Sequence, residues 1–164
     1  MKRVGLWAAI GIGIFITVGL ITVKPGYAGT KEHEPMCSDK TIKGEYGFSY
    51  SGQIPDFSEN TAVLIPKIPI VGVAMFSFDG HGNMSLLDHT LINGAPQSDP
   101  FRFSSGTYIV NGDCTGVFVI SFTDGTPDLH ASMLVLDGGR EIRDVVSDAG
   151  TAITAVGVRR DSSR

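Results

Sequence analysis

From residue 45 to residue 159 the chain repeats one pattern: a run rich in Val, Ile, Phe, Thr or Tyr, then a short cluster of Gly, Asp and Asn. In the first run Tyr46, Phe48 and Tyr50 alternate with Glu45, Gly47, Ser49 and Ser51. A period of two puts the aromatics on one face of a strand. Runs with strand-forming composition follow at 70–79, 83–93, 101–110, 115–123, 128–136, 140–147 and 151–159. Between them stand turn formers: Asp79-Gly80-His81-Gly82-Asn83, Asn111-Gly112-Asp113, Asp124-Gly125-Thr126-Pro127, Asp137-Gly138-Gly139 and Asp148-Ala149-Gly150. Gly, Asn and Asp tolerate the positive φ that tight hairpins require. This spacing predicts an all-β domain, an eight-stranded antiparallel β-barrel built as a meander.

Three stretches depart from the rhythm. Residues 29–40 are polar and predict a flexible lead-in to a barrel over 41–160, with 161–164 as a tail. Residues 53–69 hold Pro55, Pro66, Pro69 and the apolar Val63-Leu64-Ile65. They predict a long connection that carries a short helix or folds over one end of the barrel. Residues 140–146 also permit a short helix, but a helix of two turns is marginal in water and close Gly-rich turns favour a strand.

The N-terminus places the domain outside the cytoplasm. Lys2 and Arg3 precede an apolar run from Val4 to Val23, then Lys24, Pro25, Gly26, Tyr27 and Ala28. This is the layout of a signal peptide over 1–28, with Gly26 and Ala28 as the small residues before the cut. The same run is long enough to serve as an uncleaved membrane anchor. Either reading makes the protein secreted or periplasmic, and membrane contact follows only from the second. An even pair of cysteines, Cys37 and Cys114, then favours a disulfide over a metal or redox site. Without Lys2, Arg3 and Lys24 the 13 basic residues fall to ten against 17 acidic ones, a net charge of −7. That argues against nucleic acid and anionic membrane surfaces as partners, since both require a basic footprint, and reads first as solubility.

No nucleophile elbow, phosphate loop, zinc-protease helix or dinucleotide fingerprint is present. No metal site and no cofactor is therefore predicted. His81 with Asp79 supplies two ligands where three or four are needed, and reads as a solvated turn. Asp88 shares a face with Met84, Leu86, Thr90 and Ile92; opposite it lie Leu87, His89 and Leu91. The pattern tilts toward an outward Asp88, but an inward one would be a buried carboxyl of raised pKa, the form in which a barrel holds a general acid. His130 reads as a structural or surface histidine. Arg140, Glu141, Arg143 and Asp144 read as a charged cluster paired across the outer surface. The aromatics Tyr46, Phe48, Tyr50, Phe76, Phe78, Phe101, Phe103, Tyr108, Phe118 and Phe122 read mostly as core. An eight-stranded barrel is either filled by its side chains or just wide enough for one small ligand.

Several segments resemble a group of small exported bacterial proteins. They are Lys43-Gly44-Glu45-Tyr46-Gly47-Phe48-Ser49, Phe78-Asp79-Gly80-His81-Gly82-Asn83, Gly106-Thr107-Tyr108-Ile109-Val110-Asn111 with Asp113-Cys114-Thr115-Gly116, Val135-Leu136-Asp137-Gly138-Gly139-Arg140-Glu141-Ile142-Arg143, and the closing Gly150-Thr151 and Gly157-Val158-Arg159-Arg160. The likeness covers about residues 36–160. That group is similar to the β-barrels of allene oxide cyclases and dirigent proteins. The resemblance implies a barrel and strengthens a Cys37–Cys114 bridge. It implies no activity, because neither family's active-site residues map onto this chain.

The expectation is a barrel that binds a small apolar or amphipathic ligand with Tyr46, Phe48, Tyr50, Phe76 and Phe118. Two rivals remain. One is a cofactor-free cyclase or isomerase of allene oxide cyclase type, with Asp88, Tyr46 or Tyr50 acting on the substrate. The other is a structural envelope module with a solid core. A homo-oligomer is compatible with each.

Overall fold

The computed structural model describes residues 36–56, 66–97 and 101–161. The leader-like segment 1–28, the first part of the lead-in and the apolar Val63-Leu64-Ile65 lie outside the described residues.

A single 3-10 turn, Asp39–Ile42, precedes nine strands: β1 Gly44–Pro55, β2 Pro66–Phe78, β3 Asn83–Ile92, β4 Ala95–Pro96, β5 Arg102–Val110, β6 Thr115–Phe122, β7 Leu129–Leu136, β8 Glu141–Val146 and β9 Ala152–Arg159. All pairings are antiparallel. β1 pairs with β2 on one side and with β9 on the other, and β2 pairs with β3, so eight strands close into a barrel. The ninth, β4, adds to β3. Each of the eight predicted strands is found, within a few residues except where β1 and β2 run on.

Two features differ from the sequence pattern. The stretch 53–69 is less a loop than predicted. The β1–β2 ladder continues through Gln53 opposite Pro69, Ile54 opposite Ile68 and Pro55 opposite Pro66. Proline fits there because β3 pairs with β2 only from Ile70 onward, leaving residues 66–69 at a sheet edge where a missing N–H costs little. The added β4 arises from Asn93-Gly94, both at positive φ (50° and 79°), a geometry of two-residue hairpins that returns the chain onto Leu91 and Ile92.

One end of the barrel is plugged. The Asp39–Ile42 turn lies across it, with Ile42 fully buried. Asp39 Oδ1 accepts from the Val110 N–H at 2.7 Å, and Arg159 Nη2 donates to the Thr41 carbonyl at 2.6 Å. A Cys37–Cys114 disulfide ties the same segment to the β5–β6 turn. The lead-in is therefore fixed from Met36 onward. Above the plug, Phe78 packs edge-on against Tyr46 and Tyr108 at 5.5 and 5.0 Å, and Phe76 packs on Phe48 at 4.4 Å. Aromatic pairs in such geometries each contribute about 0.5–1.5 kcal/mol beyond their buried area.

Not all the aromatics are core. Phe101 and Phe103 are more than half exposed. They belong to an outer surface that is itself apolar, with Val71, Val73, Met75 and Leu87 also exposed. In register, Met75 stands opposite Leu87 and Leu87 opposite Phe103.

Candidate functional site

At the end opposite the plug the interior is not filled. A cavity of about 390 Å³ runs from Phe48, Phe76 and Phe118 to the rim turns at Thr126–Asp128 and Asp148–Thr151. Ile54, Ile70, Leu86, Ile92, Ile120, Leu129, Val146 and Ile153 line its walls. Its volume lies in the lower part of the range of about 300–1,000 Å³ usual for small-molecule sites.

The cavity opens where the inward residues become small: on β2 they run from Phe78 and Phe76 to Ala74 and Gly72, and β9 carries Ala155 in register with Asp144. Small residues at the upper level leave room that large ones occupy below. Gly72 is opposite Tyr50 in register, and a Cβ there would stand within about 2.4 Å of the Tyr50 ring. The glycine is what lets that ring lie against the wall.

A connected polar array crosses one side of the cavity. The Tyr50 hydroxyl and Thr90 Oγ1 are 2.5 Å apart, and Thr90 Oγ1 donates to Asp88 Oδ2 at 2.7 Å. With the Thr90 proton committed to Asp88, the Tyr50 hydroxyl is the donor of the first bond. Arg102 grips the same carboxylate with two groups, Nε to Oδ1 at 3.2 Å and Nη2 to Oδ2 at 3.1 Å. Its Nη1 reaches Asp124 Oδ2 at 3.1 Å, and its guanidinium lies 4.1 Å over the Phe122 ring. Burial pushes the Tyr50 phenol above its ordinary pKa, so it stays protonated and remains a donor. The Thr126 hydroxyl and N–H, with Arg102, hold the Asp124 carboxyl well below the usual carboxylate range.

Asp88 therefore faces inward, 3% exposed, against the tilt of the sequence pattern. The reason is the apolar outer surface: Leu87 is exposed beside Phe103, so hydrophobicity does not mark the inner face of β3.

Asp144 behaves differently. It is 9% exposed and shares the inner face of β8 with Ile142 and Val146. Its Oδ2 has no hydrogen-bond partner among the described residues. Burial lifts its carboxyl to about 6. The outer-surface reading of the charged cluster holds for Glu141 and Arg143, which pair at 2.6 Å, and for exposed Arg140. It fails for Asp144, whose strand parity turns it inward.

Of the other sequence candidates, Phe48, Tyr50, Phe76 and Phe118 all line the cavity. Tyr46 does not. Its hydroxyl donates to the Gly139 carbonyl and accepts from Arg159 Nη2 at 2.7 Å, inside the plugged end. His130 points outward and its Nδ1 is 2.9 Å from Asp148. His81 is exposed in its turn, where Asp79 Oδ1 accepts from its backbone N–H. Among the described residues no group of three metal-ligating side chains comes together. Arg102 and Asp144 went unread as site residues. Arg102 sits between two phenylalanines and Asp144 in a charged run. The signal for both was parity: each is an odd polar residue on a face whose next members point inward.

Compared with known proteins, the chain matches no family model, no curated protein and no solved structure.

Proposed function

We propose that this protein is an exported carrier that holds one small apolar or amphipathic molecule in the open half of its barrel. The observation that carries this reading is the contrast within one interior: tightly packed aromatics at the plugged end, and about 390 Å³ of apolar-walled space at the other. A structural module with a solid core has no use for that space. Export is supported by the Cys37–Cys114 bridge, since disulfides persist in oxidising compartments, and by the leader-like N-terminus.

Carrying is better supported than turnover by the three residues that the cyclase reading offered. Each of those side chains is engaged within the protein. Asp88 is occupied by Arg102 and Thr90, and Tyr46 lies in the plugged end. Tyr50 donates to Thr90.

The test is uptake of N-phenyl-1-naphthylamine, a neutral dye that brightens in apolar sites. Wild-type protein is expected to bind one dye per chain, and Ala155→Phe, which fills the cavity from β9, to lose that uptake while staying folded. Absence of uptake by the wild type sinks the carrier reading.

A further inference from the structure

Asp144 is a carboxylate on the cavity wall with no charged partner among the described residues. In register it stands between Met133 of β7 and Ala155 of β9, neither of which carries charge. The other titratable groups lining the cavity are Asp88, Arg102, Asp128, Asp148 and Tyr50. Arg102 is shared between Asp88 and Asp124. Asp148 accepts from the backbone N–H of His130 and contacts its ring. Tyr50 is bonded to Thr90. The lining thus sets four carboxylates against one guanidinium, and that guanidinium is already matched.

This arrangement discriminates among occupants. A purely apolar molecule filling the cavity would strip solvent from Asp144, so the carboxyl would either stand bare in a low-dielectric space or take up a proton, and at pH 7 both weaken binding. A molecule bearing its own carboxylate would add repulsion to that cost, and Arg102 has no vacant charge to offer it. A molecule with a cationic head and an apolar body removes both problems. Its head pairs with Asp144 in a charge-assisted hydrogen bond, while its body rests on Phe48, Phe76 and Phe118. Asp128 and Asp148 at the rim add a negative potential that draws cations toward the opening.

On the strength of the carrier reading above, we infer that the cavity selects amphipathic amines, with Asp144 as the group that receives the ammonium head. The consequence is a pH-dependent affinity. The carboxyl, lifted to about 6, is mostly protonated at pH 5 and mostly ionised at pH 7. An alkylammonium stays charged throughout that range.

The experiment is displacement of bound N-phenyl-1-naphthylamine by decylamine, decanol and decanoate at pH 5 and pH 7. Decylamine is expected to displace the dye at the lowest concentration at pH 7 and decanoate at the highest. The decylamine affinity is expected to fall by about tenfold at pH 5, following the ionised fraction of Asp144. In Asp144→Asn, measured against that variant's own dye affinity, decylamine and decanol are expected to come within about threefold of each other with no pH dependence, because the charge that separates them is gone. The wild-type comparison decides the matter even should the variant fold poorly. Equal displacement by decylamine and decanol from dye-loaded wild type overturns the amine selectivity and leaves the carrier intact. Failure of the wild type to take up dye overturns both.

Discussion

The ring of Phe48 lies flat over Gly157, its cross-strand neighbour on β9, so closely that a Cβ on the glycine would fall 2.3–2.6 Å from three ring carbons. The same ring lines the lower part of the cavity and packs on Phe76. A side chain at 157 must therefore push Phe48 either into Phe76 or up into the ligand space. Gly157→Val is expected to lower stability by about 1–3 kcal/mol, the usual cost of overpacking. It is also expected to weaken dye uptake. Urea unfolding and dye titration of the same variant read the two effects separately.

Arg102 satisfies a carboxylate that is 3% exposed, so its removal does more than delete a surface charge. Arg102→Leu is expected to cost about 3 kcal/mol, because it leaves Asp88 buried without its counter-ion. The double variant Asp88→Leu/Arg102→Leu is expected to recover most of that loss, since an apolar pair needs no mutual neutralisation. A double-mutant cycle in urea gives the coupling directly. Near-additive single effects would mean that the pair is only a surface contact.

The strands were legible in the sequence because turn chemistry marks their ends: Asp79 to Asn83, Asn111 to Asp113 and Asp137 to Gly139 all stand where the chain reverses. Facing was legible only where the two parities differ. On β1, Tyr46 and Phe48 alternate with glycine and serine, and their inward direction was plain. On β3 and β7 both faces are apolar, because Leu87 and Leu134 are about half exposed, and no periodicity separates them. Asp144 was hidden by its charged neighbours Arg140, Glu141 and Arg143, although Ile142 and Val146 at the same parity pointed to its true side. The cavity itself was not legible. It depends on Gly72 and Ala155 standing on either side of Tyr50, and only the register of strands distant in sequence brings them there.

The disulfide and the cavity lie at opposite ends, which separates their contributions. Cys37 and Cys114 are 77 residues apart, and closing a loop of that length stabilises by about 4 kcal/mol in the chain-entropy model. Cys37→Ser/Cys114→Ser is expected to lower the denaturation midpoint and to free the Asp39–Ile42 plug. Under conditions where the variant stays folded, its dye affinity is expected to match the wild type. Hydrogen exchange at Val110, whose N–H is held by Asp39, reports on the plug alone. Loss of dye binding in the folded variant would mean that the plug also shapes the cavity.

Asp144 should make the protein less stable at neutral pH than at mildly acid pH. Its carboxyl sits at about 6 in the folded chain and near 3.8 when unfolded, so between those values the folded state binds the extra proton. Stability then falls as pH rises through that window and levels off above it, at a total cost of about 3 kcal/mol. The carboxyls of Asp79, Asp113 and Asp124 are shifted downward, so their contributions are lost only as the solution becomes more acid than the window. Asp144→Asn is accordingly expected to be more stable than wild type at pH 7, with the advantage gone by pH 4. Urea unfolding at pH 4, 5, 6 and 7 checks both the sign and the window. The same concentration of decylamine at pH 7 should raise wild-type stability more than that of Asp144→Asn, since a ligand stabilises the folded chain only by its affinity for that state. A stability curve for the wild type that is flat between pH 4 and 7 would mean that Asp144 is solvated after all, and that the cavity exacts no charge of its occupant.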